Sequence, residues 1–311
     1  MSPVKSRFIL SLLFAVSCRV LQGQEAISAI DQARLLQKPP EAAIPAVDAN
    51  GNAIDATSDV GDDSFGAQMI LKDQVRPPAF ALSAGGSIYY TSNVALTRRD
   101  TRDDSFAVVN ATGSWIRQLN PEVQFQAGLQ ASIFRYGRTS QLDFDDFNAG
   151  LGLAWAPLRW PGVSIFGRYD FTELIDRHGN EILSDHQFSL GTQKVFVLGR
   201  AHAFSVGVLG TAGISTPHVA QRDQAGIFAS YHLQLTRCLG TDLLYRFAGQ
   251  FYNEGGRTDL NQVFSWNLGY QLGRWTQASI YFSFGDNHSN KSVFDYDVTS
   301  TGGGLGFTTR F

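Results

Sequence analysis

Past residue 25 the chain has no apolar run approaching the ~20 residues that a membrane-spanning helix needs. Charge is scarce too: 17% of residues are Asp, Glu, Lys or Arg, and they nearly cancel, leaving −3. With no basic excess, nucleic acid is excluded as a partner. Cysteine is almost missing. Cys18 lies in the leader described below and is either cut away or lipidated, which leaves Cys238 without a partner and argues against a disulfide framework. His178, His186 and His218 show no metal-ligand spacing, so no metal is expected, and no cofactor either. What is abundant points elsewhere. Gly (31), Phe (23) and Tyr (10) are high, which suits strands carrying aromatic and small side chains better than helices.

Residues 1–23 read as a secretory leader. Lys5 and Arg7 precede a short apolar stretch, Phe8–Val16, with cleavage expected after Ser17 or Gly23. Residues 24–78 differ from everything after them. Glu25–Gln37 can form a short helix with Ile27, Ile30 and Leu35 or Leu36 near one side. The remainder is rich in Pro, Gly, Asp and small residues, and cannot bury enough apolar surface to offset its ordering entropy. We expect a flexible extension, with a plug or partner-binding arm as the alternative.

From Phe80 the hydrophobic period becomes two. Twelve alternating segments recur, at 79–92, 106–118, 122–136, 144–157, 162–173, 185–198, 202–214, 223–235, 239–252, 260–272, 275–285 and 297–311. Each is long for a soluble strand, where ~5–6 residues is usual, and suits a tilted membrane strand with ~9–11 residues in hydrocarbon. The connections alternate between short turns, such as Leu119–Pro121 and Gly273–Arg274, and longer polar loops around Arg99, His178 and Asn287. Strict short–long alternation marks an outer-membrane barrel, with periplasmic turns and external loops. The expected fold is all-β: a transmembrane, antiparallel, up-and-down β-barrel of about 12 strands over residues 79–311, with residues 24–78 as a flexible N-terminal periplasmic extension. An even strand number puts both barrel ends on the periplasmic side.

Successive side chains of a strand point to opposite faces. Phe264, Trp266, Leu268 and Tyr270 therefore share one face, and Ser265, Asn267 and Gly269 the other. The same split sets Phe125 and Leu129 against Gln124, Gln126 and Gln130, and Ile227 and Tyr231 against Ser230, His232 and Gln234. The polar face is amide, hydroxyl and glycine rather than Lys and Glu, which fits an enclosed wet lumen. Gln277 joins this lining, with four charges, Arg168, Asp170, Asp242 and Arg246. Their signs balance, and we expect them to pair across strands and brace the wall. Gly302, Gly304 and Gly306 should leave room along the last strand. Two aromatic bands are expected at the membrane interfaces: Trp115, Trp155, Trp160, Phe204 and Trp275 near the short turns, and Tyr90, Phe106, Phe147, Phe171, Phe188 and Phe251 near the long loops. Lys194 falls on the apolar parity, where it either snorkels to the interface or marks a bulge that switches the parity.

The leader, the strand–loop rhythm from Phe80 to Phe311 and the terminal GLGFTTRF resemble Gram-negative outer-membrane β-barrels, and in particular the loosely defined porin class. The resemblance implies that the barrel-assembly machinery reads Leu305, Phe307 and Phe311 as an assembly signal; Thr309 departs from the usual apolar preference. It also implies outer-membrane lipid as a partner but says little of substrate; the amide- and hydroxyl-rich lumen face leads us to expect passive diffusion of small polar solutes with little charge selectivity, in a chain delivered by its cleaved leader. A non-conducting structural or receptor barrel is the alternative. No catalytic residues are expected. His186 and Ser189 have opposite parity, His232 and Ser230 lack an orienting partner on their own strand, and Asp145, Asp146, Asp176 and His178 are ordinary loop residues.

Overall fold

The period-two pattern from Phe80 onward builds strands because each buries or presents one side-chain face at a time. In the computed structural model, residues 79–199 and 201–311 are described, together with Asp31, Ala46–Val47 and Ala53–Ile54. The leader and most of the extension lie outside the described residues. Within the extension, β1 (Ala46–Val47) pairs antiparallel with β2 (Ala53–Ile54).

Twelve long strands follow: β3 (Phe80–Thr91), β4 (Asp104–Asn120), β5 (Val123–Tyr136), β6 (Phe144–Trp155), β7 (Val163–Asp176), β8 (Glu181–Val197), β9 (His202–Thr216), β10 (Arg222–Gln234), β11 (Leu239–Tyr252), β12 (Thr258–Gln271), β13 (Thr276–Ser289) and β14 (Tyr296–Arg310). Each pairs antiparallel with the next, and β14 pairs back onto β3, so the sheet closes into a barrel. Closure leaves no edge strand and satisfies the backbone polar groups within the wall. The seam is fixed at its end by reciprocal hydrogen bonds between Phe80 and Phe311, at 3.2 and 2.9 Å.

Glycines let neighbouring side chains lie flat on the inner wall. A Cβ on Gly191 would come 2.5 Å from the Phe166 ring, and one on Gly150 would come 2.6 Å from Asp170. Gly207 carries the Phe228 ring in the same way. The expected free space on β14 is mostly taken: Tyr89 covers Gly302 and Ser87 covers Gly304, while Gly306 stays open. The reason is the register, which places Tyr89 and Ser87 opposite these two glycines.

The outer face is apolar and exposed. Ile88 (69%), Leu190 (68%) and Leu305 (59%) stand clear of the protein. A continuous apolar belt of this kind is not stable in water and marks a membrane surface. Lys194 sits on this face without a local break in register; its ammonium reaches the Pro161 carbonyl at a short turn and lies over Phe196. Snorkelling accounts for it. One expected girdle residue is different: Phe106 points inward and is 2% exposed. Its parity on β4 is that of Asn110 and Thr112, opposite the exposed Val109.

Candidate functional site

The inner wall has tiers of different chemistry. Near the short turns it is amide and hydroxyl. Gln126 donates to Gln124 (3.1 Å), Gln130 donates to Ser132 (3.1 Å), and Ser230 bonds Ser205 across strands (2.7 Å). Gln234 donates to the Thr236 carbonyl (2.7 Å). Asn267 and Ser265 lie on the inner parity of β12, and Gln277 on that of β13, where it lies over Gly269. The wall here presents hydrogen-bonding side chains with little fixed charge.

The four expected wall charges do not all pair across strands. Arg168 and Asp170 pair along β7 itself, at 2.7 Å, in the gap that Gly150 leaves. Asp242 pairs across the β10–β11 ladder with His232, at 2.7 Å, and accepts from Asn267 at 3.5 Å. Arg246 lies on the inner parity of β11, opposite Phe228 in the β10–β11 ladder.

Toward the long loops the lumen closes in. One side is apolar: Phe106, Phe134, Tyr136, Phe144, Leu174 and Leu183 form a single buried cluster with Val94, Ala220 and Tyr252. Phe134 and Phe144 stack at 4.4 Å between ring centres. The other side is a polar network. Arg257 is gripped by Asp259 and lies over the rings of Tyr252 (4.0 Å) and Phe294 (3.7 Å). Asn287 donates to Asp259 and to the Phe294 carbonyl, both at 3.0 Å. Asn287 thus belongs to the inner wall of β13 rather than to a loop, with 3% exposure. Arg222, 3% exposed, donates to Gln250 (3.0 Å) and to the Tyr252 hydroxyl (2.6 Å). Its other terminal nitrogen, Nη2, donates to Asp31 at 2.6 Å. Asp31 comes from the N-terminal extension and is itself 8% exposed and helical.

Sequence reasoning missed Arg222, Arg257, Asp259 and the aromatic cluster as lumen residues. The signal was parity extended outward: Arg222 continues the even-numbered inner face of Ser230 and His232, past the point where the outer face turns polar at Asp223. The histidine constellations stay apart. His186 faces out and bonds the Tyr169 hydroxyl at 2.8 Å, whereas Ser189 faces in and bonds Thr211 at 3.0 Å. Asp145 pairs with Arg135 at 2.7 Å on the outer side, and Asp146 is buried inside. Asp176 accepts from the His178 backbone at 2.7 Å and from Asn180, which closes a turn. No three His, Cys, Asp or Glu residues gather as a metal site among the described residues.

No family model matches the chain, and no curated protein matches it in sequence. Among solved structures it is similar to an outer-membrane channel from Pseudomonas putida F1, at 10% identity over 81% of this chain and 100% of that one, with a TM-score of 0.53. The fold is that of an outer-membrane β-barrel. The β-domain of the Bordetella autotransporter BrkA (9% identity, 74% of this chain, 100% of that one, TM-score 0.47) and the NanC porin (7%, 73%, 98%, 0.42) also match. At these identities the likeness is one of fold. For an outer-membrane β-barrel, the exposed apolar parity is the lipid face and the amide-lined parity encloses the lumen.

Proposed function

We propose that this chain is an outer-membrane channel for passive diffusion of small polar solutes, with little charge preference, and is not an enzyme. The observation that carries this reading is the set of uncharged hydrogen-bonding side chains on the inner faces of β5, β10, β12 and β13, Gln124, Gln126, Gln130, Ser230, Gln234, Ser265, Asn267 and Gln277, beside the internally paired Arg168 and Asp170. Such groups replace a solute's hydration without a charge barrier. Barrel width grows with strand number, and twelve strands lie between the filled barrels of about 8 strands and the open porins of about 16–18. The lumen is therefore narrow.

The resemblance of the last strand supports recognition of Leu305, Phe307 and Phe311 by the barrel-assembly machinery, and the leader supports delivery to the outer membrane. A second reading, a non-conducting barrel, is favoured by the apolar cluster around Phe106 and Phe144 that narrows the outer lumen. Single-channel recording of the refolded protein in a planar bilayer separates the two. The channel reading expects small, discrete currents and a reversal potential near zero in a salt gradient. Absence of current from protein shown to be folded would favour the second reading.

A further inference from the structure

Arg222 is enclosed at the outer end of the lumen, and its barrel partners, Gln250 and the Tyr252 hydroxyl, are neutral. Among the described residues, its ion-pair partner is Asp31, from outside the barrel. The other lumen contacts of this kind are made within the barrel and its loops: Arg168 with Asp170, Arg257 with Asp259, and the hydrogen bond of His232 to Asp242. The carboxylate that neutralises the Arg222 guanidinium comes from a different part of the chain. Desolvated cations without a counter-charge are strongly disfavoured, so this place selects for a carboxylate.

We propose that Arg222, held by the Tyr252 hydroxyl and Gln250, forms a carboxylate-binding site in the outer lumen, and that Asp31 is its resident, tethered ligand. The site is built for that group. The Tyr252 hydroxyl and Gln250 fix one nitrogen of a planar guanidinium whose other terminal nitrogen meets the Asp31 carboxylate, and charge-assisted bonds to arginine are among the stronger in proteins. Its external ligand class is the small organic acid with sugar-like hydroxyls, which the amide-lined tier below can also hydrogen-bond. With Asp31 seated, the Arg222 guanidinium is neutralised. With Asp31 displaced, Arg222 favours anions. The inference deepens the channel reading, because it names the solute class that the outer lumen would admit and the chain's own group that competes with it.

The test uses the full chain in detergent, so that it does not depend on conduction. Calorimetric titration with glucuronate compares the wild type, Asp31→Asn, and Asp31→Asn combined with Arg222→Gln, each checked as folded by its heat-modifiable gel shift. Asp31→Asn should bind roughly tenfold or more tightly than the wild type, as expected for loss of a competing charged ligand. The double variant should lose that gain. In parallel, Asp31→Cys is combined with Gln250→Cys or Gln224→Cys in a Cys238→Ser background and treated with a short bismaleimide. Cross-linking of folded protein places the residue in the lumen. Equal glucuronate binding by all three folded proteins, or no cross-link at either position, overturns the proposal. Binding and cross-linking without any bilayer current would leave the site in place and retire the channel reading instead.

Discussion

Glycine and arginine show how far single residues could be read. The inner-wall glycines look like vacancies in the sequence, yet several are seats. Gly207 lies opposite Phe228, and the ring occupies the space where a Cβ would stand. Gly207→Ala should therefore destabilise the barrel by about 1–3 kcal/mol through overpacking. Phe228→Ala should relieve part of that cost, so the double variant is less destabilised than the sum of the singles. Denaturant titration of the folded, heat-modifiable band measures both. Parity alone placed Arg168, Asp170, Asp242 and Arg246 on the inner wall, but their partners were beyond its reach. Arg168 and Asp170 pair along one strand because Gly150 leaves room beside them, and Asp242 turns to His232 because the β10–β11 register sets the two directly opposite.

Strands and turns were more legible than their ends. The alternating segments fall on the long strands, since a lipid face on one side and a wet lumen on the other impose a period of two. The ends were misjudged where strands project past the membrane. Thr258–Gln271 and Thr276–Ser289 run outward beyond their apolar stretches, which is why Asp259 and Asn287 looked like loop residues. Two elements carry direct predictions. Phe311 closes β14 onto β3 through Phe80, and its side chain is 66% exposed toward lipid. Phe311→Asp should lower the folded fraction in the membrane, read by the heat-modifiable gel shift; an unchanged fraction would count against its role in closure. Glu122, in the turn after β4, accepts from the Leu158 backbone at 3.0 Å and from the Trp155 indole at 3.3 Å, and so ties two short turns together. The Leu158 hydrogen bond, then the indole, hold its carboxyl below the usual glutamate range. A depressed carboxyl stabilises the folded turn above the ordinary glutamate pKa, and that contribution fades as pH falls through the lower folded value. Trp155 emission should therefore change on acidification only below the ordinary glutamate range, and Glu122→Gln should abolish the change.

At the scale of the whole molecule, the claim is that one parity of every long strand faces lipid and the other faces an enclosed aqueous space. Closure, the apolar outer belt and the amide-lined inner wall all follow from that division. The contents of the outer lumen did not follow from it, because they depend on which residues the closed barrel brings together from opposite walls. A cysteine scan along β12 tests the division most directly. Single cysteines at positions 264 to 268, in a Cys238→Ser background, carry a fluorophore in protein reconstituted into liposomes. A lipid-borne quencher should act at Phe264, Trp266 and Leu268, and a water-soluble quencher at Ser265 and Asn267. Quenching without a period of two, or with the two quenchers exchanged, would contradict the account.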